Sequence, residues 1–221
     1  MKSQWLLRQV FAIFILLAAL FSLVACGKEE QVLQPSFPTT EFVSTTKLFS
    51  LYVPTGWSTQ EVIPGADLIM ATSEAALEHY RSERALESGD LVLNVGFLPL
   101  ALLQEKELSH LGIQFDSPPD EFLQSLLPMF AVGDKPARNV AGEAKLVSLG
   151  DGREAGMLAF SEEGREGSIL VFSAGKDVFA FISAAAYPSE LSEFQEIIYA
   201  VAARVAYNGS QDALYQKLNG G

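Results

Sequence analysis

Two neighbouring segments constrain the fold of this chain more than any other feature. In residues 168 to 174, Ile169 and Val171 fall on one side of an extended chain and Leu170 and Phe172 on the other. In residues 178 to 183, Val178, Ala180 and Ile182 alternate with Phe179 and Phe181. Successive side chains of a strand point to opposite faces, so both faces of a sheet built from these segments are apolar. An antiparallel sheet with one wet face would carry polar residues there. Helices must therefore cover both sides. The expected fold is α+β, a three-layer α/β/α sandwich around a mainly antiparallel sheet.

The remaining elements fit that plan. Phe49, Leu51 and Val53 alternate with Ser50 and Tyr52, which is strand spacing, and Pro54-Thr55-Gly56-Trp57 is a turn. A second strand is expected over 58–63, and Pro64-Gly65 turns the chain into a third over 67–72. Ser73 is a helix N-cap with Glu74 in the first turn, and the helix is expected to run to Glu87. Residues 91–98 form a near-continuous apolar run, expected as an inner strand. Ser117-Pro118-Pro119-Asp120 starts a helix carrying Phe122, Leu123, Leu126, Leu127 and Phe130 at helical spacing, which Pro128 is expected to end or kink early. Four strands follow, over 140–148, 153–160, 167–174 and 178–185, separated by glycine-containing hairpin turns. A last long helix begins at Tyr187-Pro188-Ser189-Glu190, with Leu191, Phe194, Ile198, Val201 and Val205 on one stripe.

The N-terminus is of another kind. Lys2 and Arg8 precede the apolar run 10–24, which ends in Leu23-Val24-Ala25-Cys26-Gly27. A basic head, an apolar core and small or aliphatic residues before the cysteine are the order of a secretory signal. Leu23-Val24-Ala25-Cys26 resembles the lipobox of bacterial lipoproteins, which implies lipidation of Cys26, with a diacylglycerol thioether and an N-acyl chain such as palmitate. Cys26 is the chain's single cysteine and has no intrachain partner for a disulfide. Two or more lipid chains suffice for stable anchoring. The expected organisation is a signal peptide over 1–25, a flexible tether over 26–44, a folded domain over 45–207 and a C-terminal tail over 208–221, in which residues 212–218 have the composition of a short helix.

Removing residues 1–25 from 221 leaves 196, enough for one domain with a core that needs no disulfide. It also takes Lys2 and Arg8 from the 15 basic residues, leaving 13 against 27 acidic, a net charge of −14. Such a surface argues against nucleic acid as a partner and against adhesion to anionic lipid by charge.

The segment Phe49-Ser50-Leu51-Tyr52-Val53-Pro54-Thr55-Gly56-Trp57 resembles the first strand and Pro-x-Gly-Trp turn of the PsbP-like superfamily, which includes a photosystem II extrinsic protein and bacterial lipoproteins. Val140-Ala141-Gly142-Glu143-Ala144, the four-strand meander, Tyr187-Pro188 and the helix ending Ala203-Arg204-Val205 follow in the same order. The resemblance covers most of 49–205. It implies an α-β-α fold and a non-enzymatic accessory or binding role, and it carries no catalytic residues.

Residue types for chemistry are sparse. The two histidines, His79 and His110, sit in no metal-ligand motif. His79 is expected on the solvated side of a charged helix. Ser109, His110 and Asp116 supply the types of a hydrolytic triad without a Gly-x-Ser-x-Gly elbow. Gly150-Asp151-Gly152-Arg153 lacks the Lys-Ser/Thr of a phosphate loop and is expected as a hairpin. Trp57 is expected as a turn anchor on the core edge. No cofactor and no metal are expected. The reading is a non-enzymatic lipoprotein, lipid-anchored at Cys26 on the extracytoplasmic side of the cell membrane, that acts through contacts with a protein partner in the cell envelope. The alternative is a small-ligand carrier or weak hydrolase with a pocket near Trp57, His110 and the connection 98–111.

Overall fold

The computed structural model describes residues 35–105, 113, 115–127, 139–140, 142–162 and 164–219. Cys26, His110, Pro128 and Phe130 lie outside them. Two sheets are present among the described residues. In the smaller, β1 (Thr39–Val43), β2 (Phe49–Pro54) and β11 (Ala206–Tyr207) run in the order β1-β2-β11. The larger contains β3 (Ser58–Ile63), β4 (Asp67–Ala71), β5 (Leu91–Pro99), β6 (Asn139–Val140), β7 (Lys145–Ser148), β8 (Glu154–Glu162), β9 (Arg165–Gly175) and β10 (Val178–Ala186). Its order is β3-β4-β5-β10-β9-β8-β6, with β7 also on β8, and its pairings are antiparallel. The helices are α1 (Glu74–Arg81), α2 (Leu100–Leu103), α3 (Pro119–Leu126), α4 (Gln195–Ala202) and α5 (Gln211–Asn219), with a 3-10 turn at Leu191–Phe194.

The expected three layers are there. On one face of the larger sheet, Leu68, Met70, Leu93, Val95, Phe97, Leu170, Phe172, Ala180 and Ile182 pack under the smaller sheet, α4 and α5, through Phe49, Leu51, Ile198, Val201 and Leu214. On the other face α3 buries Phe122, Leu123 and Leu126 against Leu158, Phe160, Ile169 and Val171. Further along that face α1 buries Ala76 and Leu77 over Ile69, Ala71, Val92 and Ala185. Helix α3 lies directly on the sheet because β8 carries Gly156 beneath its first turn. A Cβ at that position would come within 2.2 Å of the Pro119 carbonyl oxygen.

Several boundaries differ from the sequence expectations. The tether expected over 26–44 overlaps β1, since Thr39–Val43 pairs with β2 along its whole length. Pro38 precedes that strand, and its carbonyl still accepts the Thr55 amide at 3.0 Å. The tail expected over 208–221 contains α5, which is capped by the Ser210 hydroxyl on the Ala213 amide and plants Leu214 in the core with no exposed surface. Helix α1 has the Ser73 cap, with the Ala76 amide donating to its hydroxyl at 3.0 Å, but stops at Arg81 rather than Glu87. The Ser82 hydroxyl donates to the Glu78 carbonyl and Glu83 adopts a positive φ of 56°, which ends the helix. At α3 the N-cap position is held by Pro118 rather than Ser117. The strand expected over 140–148 is two short strands on β8.

One departure concerns the sheet itself. The apolar alternation of β9 and β10 does not extend across the whole α1/α3 face. Asp67 on β4 stands opposite Gly96 on β5, and Asn94 on β5 stands opposite Ser183 on β10. These four residues share the face of Ile69 and Val92 and are half-buried. They form a polar band that separates the apolar patch under α1 from the patch under α3.

Candidate functional site

The residues singled out from the sequence do not converge. His79, on α1, is half-buried, with Nδ1 4.0 Å from a carboxylate oxygen of Asp90, so it is less solvated than expected. Trp57 donates its backbone amide to the Pro54 carbonyl at 3.2 Å, Gly56 has φ of 91°, and the indole packs on the edge of the main core. That is the turn-anchor role. Trp57 lines neither of two cavities that lie among the described residues.

Those cavities lie elsewhere. One of about 520 Å³ is bordered by Asp120, Glu121, Gln124 and Glu143 beside α3. The other, of about 370 Å³, lies between the sheet and the start of α4, bordered by Met157, Glu166, Ser168, Leu191, Ile198 and Tyr199. The second is stitched by the molecule's own groups. The Leu191 amide donates to Glu166 at 2.8 Å, and the Tyr199 hydroxyl donates to the Met157 sulfur at 3.2 Å. Among the described residues no group of three or more His, Cys, Asp or Glu side chains is placed to hold a metal ion.

Gly150-Asp151-Gly152-Arg153 is the expected hairpin, and it does more than turn. Leu149 and Arg153 pair across it, and Gly152 takes φ of 85°. The Arg153 guanidinium pairs with Asp151 and donates to the carbonyls of Ser173, Ala202 and Val205 while lying 5.1 Å from the centre of the Phe172 ring. It thereby ties the hairpin to the C-terminal end of α4, where a cation is favoured by the helix dipole.

The surface with the clearest capacity for contact lies where the two sheets meet in sequence. Val43 ends β1, and Val62 and Ile63 end β3; they are 49%, 48% and 36% exposed. Both strands are sheet edges. One carboxylate holds their ends. Glu61 Oε2 accepts the amide and hydroxyl of Thr45, at 3.2 and 2.7 Å, and its Oε1 accepts the Gly65 amide at 2.7 Å. The aliphatic side chains are thus carried on segments that are locked by hydrogen bonds rather than on loose loops. The sequence reading missed this patch. Alternation marks which side chains share a face, but the pairing of the 44–47 loop with Glu61 is a tertiary fact.

The polar band holds the most unusual chemistry. Oδ1 of Asp67 and Oδ1 of Asn94 are both buried without a hydrogen-bond partner. Burial pushes the Asp67 carboxyl up to about 6, partly offset by the Leu68 amide. A Cβ added at Gly96 would meet nothing within 4 Å, so the floor between them is open.

No protein-family model matches the chain, and no curated protein matches it. Its fold is similar to solved structures at low identity. The solution structure of cyanobacterial PsbP (CyanoP) from Synechocystis sp. PCC 6803 is 15% identical, covering 83% of this chain and 97% of that one, with a TM-score of 0.43. The Saccharomyces cerevisiae Ran-binding protein Mog1p is 17% identical over 83% of this chain and 92% of its own, with a TM-score of 0.40. LpqN, involved in cell envelope biogenesis of Mycobacterium tuberculosis, is 15% identical over 80% and 90%, with a TM-score of 0.32. The first belongs to the group named from the sequence. At these scores the likenesses transfer no partner and no site, and the mixed α/β architecture rests on the chain's own antiparallel pairings and layers.

Proposed function

We propose that this protein is a lipid-anchored binding protein of the extracytoplasmic side, held to the cell membrane through Cys26 and acting without catalysis through contacts with a protein partner in the envelope. The signal-like run 10–24 and the lipobox support the anchor. No helix among the described residues is long and apolar enough to cross a membrane. The observation that carries the binding role is the patch of Val43, Val62 and Ile63. Exposed aliphatic side chains on edge strands invite pairing and apolar contact, and the Glu61 carboxylate holds these strand ends in place before any partner arrives. Pre-ordering of that kind lowers the entropy cost of association.

The test is site-specific photo-crosslinking in intact cells. A photoreactive side chain at Val62 is expected to give one dominant protein adduct, and the same group at Leu146, on the far side of the larger sheet, is expected to give none of it. The adduct should fade when Ile63 is changed to Asp. Equal labelling from both positions, or no protein adduct from Val62, would contradict the reading.

A further inference from the structure

We infer that the polar band on the α1/α3 face is a binding site for a small primary amine, a compact ammonium group on a short apolar stem. This inference does not depend on the patch at Val62. It begins from the rarity of what is seen there. Buried polar atoms nearly always have a partner, and leaving one unpartnered is costly. Two such atoms, both acceptors, lie on neighbouring strands of this face. Asp67 and Asn94 are diagonal neighbours across the β4–β5 ladder, because Asp67 pairs with Gly96 and Ile69 with Asn94. Diagonal side chains on one sheet face lie about 7 Å apart at Cβ, a span that one ammonium group can bridge with hydrogen bonds of about 2.8 Å to each oxygen.

The surroundings select the rest of the ligand. Two acceptor oxygens that lack a hydrogen-bond partner suit a donor-rich group, and the carboxylate suits a positive one. Gly96, directly opposite Asp67, leaves room above the floor, since nothing lies within 4 Å of where its side chain would start. Leu98, Phe179 and Phe181 share this face and are only partly buried, so they offer an apolar wall for a short stem. The apolar sheet face is interrupted here, between the α1 patch and the α3 patch. The net charge of −14 after removal of residues 1–25 favours the approach of a cation.

The full-length protein in nanodiscs of phosphatidylcholine is titrated calorimetrically with butylammonium, with protein-free nanodiscs as the blank. Saturable single-site binding is expected. Butanol, which has the stem without the charge, and butyltrimethylammonium, which has the charge without N–H donors, should each bind at least tenfold more weakly. Asp67→Asn should weaken butylammonium at least tenfold. Gly96→Val, which fills the open floor without touching either acceptor, should abolish binding while leaving the thermal unfolding transition in place. Absence of saturable butylammonium binding would overturn the assignment. So would equal affinity for butanol or butyltrimethylammonium, or unchanged affinity in either variant.

Discussion

Asp67 occupies the first position of an interior strand, where most chains place an aliphatic residue. Its folded carboxyl is raised from 3.8 to about 6 by burial. Between those pH values the folded chain keeps a proton that the unfolded chain releases, so this residue lowers stability as pH rises through the window. That is the reverse of a salt-bridged carboxylate, whose stabilising effect appears as pH rises. Asp67→Asn should therefore raise stability at pH 7, by roughly 1 to 2 kcal/mol once solvent screening is allowed for, and flatten the pH dependence between about 4 and 6. Urea melts of both forms at pH 4.5 and 7 measure it, and an unchanged difference between the two pH values would refute it. Neither Asp67 nor Asn94 stands out in the sequence. Their importance comes from cross-strand register, which places them together on one face, and no local pattern encodes that register. Trp57 was legible for the opposite reason. Its role is set by the neighbouring Pro54 and Gly56, within one turn.

At the scale of elements, the strands were easier to read than the ends of the chain. Strand β3 falls where Pro54-Thr55-Gly56-Trp57 and Pro64-Gly65 bound it, and β8, β9 and β10 follow the glycine-marked hairpins. The ends depend on distant partners. Strand β1 has two threonines and a glutamate among its five residues and exists because β2 offers a free edge. Helix α5 has polar composition with one deeply placed residue, Leu214. It is also tied by the Tyr215 hydroxyl, which donates to Glu105 at 2.5 Å and is held above the usual tyrosine range by that carboxylate. A tail that merely trailed from the domain would tolerate truncation of Leu214. Here Leu214→Ala should destabilise the fold by about 2 to 4 kcal/mol, seen as a lower denaturation midpoint with the same slope. A change below about 0.5 kcal/mol would mean that α5 is not part of the cooperative unit.

On the proposed reading, the run before Cys26 addresses the molecule and the domain makes the contacts. The apolar alternation of two segments was enough to require helices on both faces of the sheet, because solvent is a poor neighbour for either face. It was not enough to place a functional site. The edge patch and the polar band arise where strands distant in sequence meet. The proposed anchor is the reverse case, since it rests on the short local pattern Leu23-Val24-Ala25-Cys26 alone. Mass spectrometry of the N-terminal peptide from the membrane-extracted protein tests it most directly. The expected result is a chain that begins at Cys26 and carries a diacylglyceryl thioether and an N-acyl group. A chain that retains Met1, or one that begins at Cys26 with a free thiol, would contradict it.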